Sequence, residues 1–332
     1  MAGPTDSPHK RYEYQQIRMG VPFRIVLYAP NQALANTASR DAFRRIKQLN
    51  SLLSDYDPDS ELRRLCRLAA PSRPQKVSSE LWYVLSRSQQ LSRETDGAFD
   101  VTVGPIVKLW RKARRKKRLP DAPSLMAARD LVGFGHVKLD TETQSVSLER
   151  RQMLLDLGGI AKGYAGDEAL SVLRRHGITR ALVDGSGDIV IGDPPPDKPG
   201  WRIAVEPLVR KGSPPLRYLI LKNIAVATSG DAYQSVTIDG VRYSHIVDPK
   251  TGLGLTERSS VTVIAADGIT ADSLASAVSV LGQEKGIAFV DQTNGAAALV
   301  VEIHDGTAKE LASQRFAEFQ ETPAEPSGSP GR

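Results

Sequence analysis

The stretch that decides the fold class covers residues 161–193 and reads AKGYAGDEALSVLRRHGITRALVDGSGDIVIGD. Its first part predicts a helix from about residue 161 to residue 176, which Gly177 ends. Its second part, ALVDGSGDIVIGD, has short β-branched runs bounded by turn residues, as strands do. The chain therefore passes directly from a helix into strands.

The same mixture continues on both sides of this stretch. Upstream, IRMGVPFRIVLYA predicts a strand, residues 33–53 have helical apolar spacing, and a helix capped by Ser79 extends to Asp96 and Gly97. Downstream lie several short β-branched segments, a hairpin signal at Asp239 and Gly240, and two helices before a strand at AAALVVEI. Helices and strands without strict alternation indicate an α+β fold with mainly antiparallel sheets flanked by helices.

Length and composition describe an ordinary folded protein with polar ends. The chain has 332 residues, of which 40% are hydrophobic and 25% charged, enough for one large domain or two packed lobes. Residues 1–16 and 321–332 are rich in Pro, Ser, Gly and charge and are predicted to be flexible tails, which leaves residues 17–320 as the folded part.

The charge distribution limits the possible partners. The net charge is +6, and seven of the 44 basic residues lie within residues 111–118. Such a run is a solvated helix face, or a site for an anionic ligand, an acidic partner or a membrane surface. We expect no nucleic-acid partner, because no binding module is recognisable and no aromatic residues are interleaved with the basic ones.

Cysteine usage and hydropathy exclude other classes of site. Cys66 is the single cysteine, so an intrachain disulfide and a cysteine-based zinc cluster are both excluded. It is expected to be a packed small residue rather than a nucleophile. The sequence has neither a membrane-length apolar run nor the apolar core of a signal peptide, although a removed export or lipoprotein signal would leave no trace.

The segment DLGGIAKG, residues 156–163, has the features of a phosphate site. Paired glycines at the start of a helix let a ligand approach the backbone and leave amide donors beside the positive helix end. Lys162 adds a point charge one turn into the helix. The alternative is that Gly158 and Gly159 only form a tight turn.

The segment TADSLAS, residues 270–276, has the features of a magnesium site. Asp272 and Ser276 are four residues apart and so lie on one face of a helix. Two oxygen ligands, completed by a backbone carbonyl and phosphate oxygens, suit Mg²⁺. The alternative is that Thr270 or Asp272 caps the helix.

Two further segments carry candidate residues. His245 lies three residues before Asp248 and could accept a proton near neutral pH, with Asp248 as its orienting group; the alternative is a structural histidine. Asp96 and Asp100 could hold polar flavin or ribose groups beside the aromatic face of Phe99, which could equally be a core residue.

Taken in order, these segments resemble the ApbE family of FAD:protein FMN transferases from about residue 19 to residue 282. MGVPFRIVLYA is similar to the opening strand of the family, with Val21 at a position where threonine is usual, and LSDYDPDSELRRL resembles its next block. The segments that match nearly residue by residue are TDGAFDVTVGPIVKLW, DLGGIAKGYA, TSGD, YSHIVDPKTG and TADSLASA. Ordered long matches of this kind are far more specific than a lone glycine motif.

The resemblance implies a two-lobed ApbE-like fold with a T-fold-like lobe, in which FAD lies between the lobes. His245 would be the catalytic histidine, and Mg²⁺ would be bound by the carbonyl of Gly159, the carboxylate of Asp272 and the hydroxyl of Ser276. The residues expected to contact FAD are Met19, Tyr56, Ala98, Phe99, Asp100, Asp156, Lys162, Ser229 and Gly230.

Three departures from the family pattern affect these expectations. Ser276 replaces a threonine and keeps the hydroxyl, and Gly159 stands where others have alanine or threonine. After TSGD, the usual aromatic and arginine residues are replaced by Ala232, Tyr233, Gln234 and Ser235, which affects the recognition of the acceptor or of the flavin edge.

The implied reaction is Mg²⁺-dependent transfer of FMN from FAD to a threonine or serine hydroxyl of an acceptor protein, through a phosphoester bond, with release of AMP. The alternatives are an FAD pyrophosphatase that yields FMN and AMP, a non-catalytic FAD-binding carrier, and an α+β protein whose glycines and aspartates are only turns. The resemblance also implies an acceptor that is a redox-complex subunit, and a periplasmic or extracytoplasmic location with possible membrane attachment through a removed lipoprotein signal.

Overall fold

A computed structural model describes residues 9–208, 215–230, 235–305 and 307–321 of the chain. In these residues the helices are α1 (Gln32–Leu53), α2 (Glu61–Leu68), α3 (Ser79–Glu94), α4 (Gly104–Lys116), α5 (Ala122–Arg129), α6 (Ala161–Arg175), α7 (Gly268–Leu281) and α8 (Gln283–Gln292). The strands are β1 (Lys10–Arg18), β2 (Val21–Ala29), β3 (Gln75–Lys76), β4 (Val137–Asp140), β5 (Ser145–Leu148), β6 (Ala181–Asp184), β7 (Asp188–Ile191), β8 (Trp201–Val205), β9 (Arg217–Leu221), β10 (Ile224–Gly230), β11 (Ser235–Ile238), β12 (Val241–Ser244), β13 (Arg258–Ala265), β14 (Ala297–His304) and β15 (Thr307–Ala312).

A central antiparallel sheet organises the described part of the chain. Its eight strands follow the order β1-β2-β6-β7-β10-β13-β14-β15, and each neighbouring pair is antiparallel. Three smaller antiparallel units accompany it: β3-β5-β4, β8-β9 and β11-β12. The prediction of an α+β fold with mainly antiparallel sheets is confirmed.

The two faces of the central sheet have different cover. On one face α1, α6 and α7 pack against the strands and enclose the main core, which includes Ile46, Leu173 and Val278. On the other face the β8-β9 unit and Phe316 cover a second apolar cluster. Both faces are buried, so strands such as β13 are buried over most of their length, with no alternation between buried and exposed residues.

A third apolar cluster lies between α4, α5 and the β11-β12 hairpin and includes Ile106, Trp110 and Tyr243. The hairpin turns at Asp239 and Gly240, both with positive φ, as the sequence predicts. This cluster holds α4 against the segment that follows β12, and that contact positions part of the candidate site.

Two element ends differ from the sequence prediction. The cap of α3 is Ser78, whose hydroxyl accepts the N–H of Leu81, and not Ser79. Residues 10–16, predicted to be part of a flexible tail, form most of β1. In this strand Tyr12 and Tyr14 pack against the main core and alternate with polar residues. Tyr14 also donates a hydrogen bond to Asn36 of α1, at 2.6 Å. The folded part therefore includes residues 10–16.

Other parts of the predicted tails lie outside the described residues, namely residues 1–8 and 322–332. Glu321 is described, and its carboxylate accepts hydrogen bonds from Arg202. Cys66 is buried, and its sulfur accepts the N–H of Leu155, in agreement with the prediction of a packed residue. Within the described ranges, no helix is long and apolar enough to cross a membrane.

Candidate functional site

A cavity of about 830 Å³ opens beside the central sheet, where the first turn of α6 and the later turns of α7 meet β7 and β10. Helix α4 and the segment that follows β12 form other parts of its wall. Its polar lining includes Asp55, Tyr56, Asp100, Arg111, Arg114, Asp156, Lys162, Asp188, Ser229, His245, Asp272 and Ser276.

Lys162 lies between two buried carboxylates. Its ammonium group donates a hydrogen bond to Oδ2 of Asp188 and lies 3.6 Å from Oδ1 of Asp272. The side chains of Asp188 and Asp272 are only 7% and 5% exposed. Two carboxylates thus share one ammonium, and the cluster is negatively charged when all three groups are ionised.

The pKa values of this cluster reflect that imbalance. Burial and the carboxylate of Asp272 raise the pKa of Asp188 to about 7, against the opposing effect of Lys162. Burial acts to lower the pKa of Lys162, but the two neighbouring carboxylates raise it above its ordinary value. Lys162 is therefore a cation at neutral pH. Because two carboxylates share this one ammonium group, the cluster would also attract a further cation.

Asp272 is positioned by a close contact between α6 and α7. Its Oδ2 accepts the backbone N–H of Gly163 at 3.0 Å. A Cβ on Gly163 would lie 2.0 Å from the carbonyl oxygen of Gly268 and 2.8 Å from the Cβ of Asp272, well inside contact distance. The two helices approach this closely because residues 163 and 268 have no side chains.

The oxygen donors that the family resemblance assigned to Mg²⁺ lie at the same place. Ser276 is one helical turn after Asp272, so its hydroxyl faces the same side as the carboxylate. A Cβ on Gly159 would lie only 2.6 Å from Oγ of Ser276, which places the Gly159 backbone against that hydroxyl. These are hard oxygen donors beside an excess of negative charge, and they fit Mg²⁺.

The described residues contain no group of three or more His, Cys, Asp or Glu side chains that could hold a metal ion. Magnesium usually keeps several waters and is bound through one or two carboxylates together with phosphate oxygens. The residues that would hold it here are Asp272, Ser276 and the carbonyl of Gly159.

Arg111 connects three segments of the cavity wall. Its guanidinium donates to Asp55 Oδ2 at 2.7 Å and to Asp156 Oδ2 at 3.1 Å, and its Cζ lies 4.2 Å from the ring centroid of Tyr56. Burial and the nearby Asp55 raise the pKa of Asp156 to about 6, while the N–H of Gly158 and Arg111 act to lower it. Arg111 thereby holds Asp156 and the exposed ring of Tyr56 in place.

Both oxygens of the Asp100 carboxylate accept hydrogen bonds from other groups of the protein. Oδ1 accepts the N–H and the hydroxyl of Thr102 at 2.8 and 2.7 Å, and Oδ2 accepts the N–H of Phe134 at 2.9 Å. Burial raises its pKa above the ordinary value. Phe99 beside it is 6% exposed and packs under Gly159, so it contributes a buried apolar surface to the cavity wall.

His245 is partly buried and lines the cavity just after β12. Backbone hydrogen bonds fix its segment, since Ser244 N–H donates to Leu255 at 2.7 Å and Leu255 N–H donates to Ile246 at 2.9 Å. The indole N–H of Trp110 donates to the carbonyl of Ser244 at 3.0 Å. Helix α4 therefore anchors the segment that presents the histidine.

The comparisons with known proteins agree with this geometry. The model of the ApbE family matches residues 19–300, which is most of the chain. The chain belongs to the ApbE family. A Vibrio cholerae protein named FAD:protein FMN transferase is 34% identical over 320 residues, covering 95% of this chain and 94% of that protein. A Klebsiella pneumoniae protein of the same name is 32% identical over 297 residues, covering 89% of this chain and 90% of that one.

Solved structures of the ApbE family share the fold. The structure of "Flavin Transferase ApbE from Vibrio cholerae" superposes with a TM-score of 0.84 at 32% identity and covers 94% of this chain and 100% of its own. An ApbE protein from Thermotoga maritima superposes with a TM-score of 0.83 at 31% identity, with the same coverage. The family resemblance stated from the sequence is confirmed.

The cavity brings together most of the residues that the ApbE resemblance assigned. Those that line it are Tyr56, Ala98, Phe99, Asp100, Asp156, Gly159, Lys162, Ser229, Gly230, His245, Asp272 and Ser276. The hydroxyl of Ser229 receives a hydrogen bond from Ser279 at 3.0 Å, which fixes that edge of the wall. The individual roles of these residues in binding and catalysis stay predictions.

Two assigned residues, Met19 and Asp248, lie outside the cavity lining, which differs from the placement expected from the sequence. Met19 sits with Gly20 in the turn between β1 and β2, at positive φ, and packs against the main core instead of lining the cavity. Asp248 also lies outside the lining, and its carboxylate accepts the N–H of Lys250 at 2.8 Å. It forms the turn after His245, and its role as the orienting group of the imidazole stays a prediction.

Sequence reasoning did not assign several polar residues of the cavity wall, among them Asp188 and Arg111. Asp188 starts β7 inside a segment that reads as strand, and only its approach to Lys162 shows its importance. Arg111 was counted in a basic run, and its partners Asp55 and Asp156 come from distant segments. A charged residue at the first position of an apolar strand was the one available signal for Asp188. Residues 232–234, where the sequence departs from the ApbE pattern, lie outside the described residues.

Proposed function

We propose that the chain transfers the FMN half of FAD to a threonine or serine hydroxyl of an acceptor protein, in a reaction that requires Mg²⁺. The chain is a transferase, and FAD is its flavin substrate. The observation that carries the proposal is the joint presence in one cavity of His245, the glycine-rich start of α6 and the Lys162 cluster.

The start of α6 and Lys162 bind the charged part of FAD. Gly158 and Gly159 precede the first turn of α6, where backbone N–H groups and the positive end of the helix favour a phosphate. Lys162 supplies a permanent cation in the same cavity. Asp272, Ser276 and the carbonyl of Gly159 would hold Mg²⁺, which would neutralise the charge of the pyrophosphate.

His245 accepts the proton of the acceptor hydroxyl. The oxygen of that hydroxyl forms a bond to the FMN-side phosphorus, the bond between this phosphorus and the bridging oxygen of the pyrophosphate breaks, and AMP leaves. A hydroxyl is a poor nucleophile until a base removes its proton, and imidazole has a pKa suited to that task near neutral pH. The product is a phosphoester between FMN and the acceptor.

From the family resemblance we propose that the acceptor protein is a redox-complex subunit with an accessible threonine or serine. An FAD pyrophosphatase would use the same phosphate and cation groups with water as the nucleophile. A carrier would bind FAD without cleaving it. One experiment separates the three activities.

The experiment incubates the purified chain with FAD, an acceptor domain bearing a flavinylation-type threonine, and either Mg²⁺ or EDTA, and measures acceptor mass. We expect a Mg²⁺-dependent gain of one FMN group, abolished in Asp272→Ala and retained in the control Glu284→Ala, which changes an exposed carboxylate of α8. Free FMN and AMP without a labelled acceptor would instead identify a pyrophosphatase. Bound and intact FAD would identify a carrier.

A further inference from the structure

The end of α4 places a concentration of positive charge at the rim of the cavity. Arg114 lines the cavity together with Arg111. The exposed basic residues of the same segment are Lys112, Arg115, Lys116, Lys117 and Arg118. Arg111 is compensated by Asp55 and Asp156. In the described part of the chain no ion pair joins Arg114 or the five exposed residues to a carboxylate, so this end of α4 is strongly positive.

Arg114 has a donor that lacks a protein partner. Its Nε is buried and makes no hydrogen bond with any of the described residues. An unsatisfied buried donor is costly, and a guanidinium forms its best hydrogen bonds with carboxylate or phosphate oxygens. Arg114 as a whole is only partly buried and lines the cavity, so an anionic group that enters the cavity can meet the accessible part of its side chain.

The dipole of α4 does not account for this amount of charge. Basic residues in the last turn of a helix are favourable, but the dipole amounts to about half an elementary charge at each end. Arg114, Arg115 and Lys116 all lie in that last turn, and the two residues that follow are also basic. Like charges at this spacing repel one another. An anionic partner would relieve that repulsion.

The basic segment is fixed relative to His245. Trp110 lies one turn before Arg114, donates its indole N–H to Ser244 next to the histidine, and contacts the ring of Tyr243 with centroids 5.5 Å apart. A chain segment that binds to Arg114 therefore lies next to the segment that presents His245.

We propose that the basic end of α4, residues 112–118, docks an acidic segment of the acceptor protein, with Arg114 binding a carboxylate at the cavity rim. The inference deepens the proposed function and rests on it, because an acceptor hydroxyl has to enter the cavity to reach FAD. A membrane surface would meet the exposed side chains but would not enter the cavity that Arg114 lines, whereas an extended protein segment can, so the geometry favours a protein segment. Charge complementarity of this kind raises the association rate and selects the partner.

The test titrates the full chain with a fluorescent peptide that carries one threonine flanked by Asp and Glu, and follows fluorescence anisotropy. The matched peptide has Asn and Gln in place of the acids. We expect the acidic peptide to bind at least about tenfold more tightly than the neutral one, with an affinity that falls as salt screens the charges.

Variants locate the binding surface. Arg115→Glu/Lys116→Glu and, separately, Arg114→Gln should each weaken binding of the acidic peptide about tenfold. The control Lys47→Glu/Lys285→Glu makes the same change in net charge as the first variant at exposed sites of α1 and α8, and should bind like the wild type. Thermal unfolding of each variant verifies that it is folded.

Three results would overturn the inference. They are equal affinity for the acidic and neutral peptides, equal weakening by the α4 variants and the control, and binding to phosphatidylserine vesicles in place of the acidic peptide. FAD binding by the wild type is measured separately in the absence of peptide. A chain that fails to bind FAD would contradict the proposed function, whereas the peptide titration decides the docking surface by itself.

Discussion

The ammonium nitrogen of Lys162 lies 3.6 Å from Oδ1 of Asp272, inside a cavity wall that leaves the aspartate side chain 5% exposed. Lys138 and Glu149 form an ion pair with the same separation of 3.6 Å, but their side chains are 57% and 40% exposed. Equal distances therefore belong to very different environments. The energy of an ion pair depends on its solvation, so removing the lysine should have different consequences in the two pairs.

Lys162→Met should destabilise the protein by about 3 kcal/mol at pH 8, because it leaves Asp188 and Asp272 buried without their cation. Lys138→Met should change stability little. Urea unfolding of both variants in the presence of EDTA measures the difference. Equal effects would mean that the Lys162 cluster is solvated like the surface pair.

Gly159→Ala should weaken Mg²⁺ binding about tenfold, because the new methyl group would displace the hydroxyl of Ser276, 2.6 Å away. The effect should be largely absent when Ser276→Ala is already present, since the displaced atom is then missing. Calorimetric titration of Mg²⁺ into the FAD-loaded variants measures the coupling. Gly135→Ala is the control, because a Cβ there meets nothing within 4 Å. Additive losses would contradict the predicted contact.

Arg111→Gln should weaken FAD binding about tenfold. The substitution removes the two charge-assisted hydrogen bonds to Asp55 and Asp156, and it also removes the cation that lies over the ring of Tyr56. The variant should affect the KM for FAD more than kcat, because Arg111 acts through other residues. Lys108→Gln, an exposed site on the same helix, is the control. A fall in kcat with an unchanged KM would contradict this positioning role.

The stability of the protein should fall as pH rises towards 7 and above because of Asp167. Burial raises the pKa of this carboxyl to about 7, although it accepts the N–H groups of Gly268 and Ile269 at 2.7 and 2.9 Å. A folded-state pKa above the unfolded value of about 4 means that the folded protein binds more protons between these two pH values. Its stabilising contribution is complete below about pH 4 and is lost as pH rises through about 7.

Asp167→Asn removes this titration. The variant loses an acceptor and should be less stable at pH 5, but the deficit should shrink by about 1–3 kcal/mol between pH 5 and pH 8. Urea unfolding across that pH range measures it, with Asp291→Asn, an exposed carboxyl of α8, as the control. A deficit that stays constant with pH would show that Asp167 is ionised throughout.

Local signals in the sequence predicted the elements that local chemistry controls. Gly177, with φ of +76°, ends α6 where the sequence places its stop, and Asp239 and Gly240 form the predicted hairpin turn. The prediction that Asp272 and Ser276 lie on one face of a helix is confirmed, because both belong to α7 and four residues make about one turn. Residues 10–16 were missed as a strand, since their inward tyrosines alternate with charged and amide side chains.

The sequence by itself determined the family, the α+β class and twelve of the residues that line the cavity, because these depend on ordered segments whose spacing is visible along the chain. Only the tertiary structure decided which side chains neutralise one another. Asp188 reaches Lys162, and Arg111 reaches Asp55 and Asp156, across loops and helices that lie far apart in the sequence. Only the structure shows that the carboxylate of Asp248 accepts the backbone N–H of Lys250. Electrostatic partners depend on distance and burial in space, and the linear order of residues specifies neither.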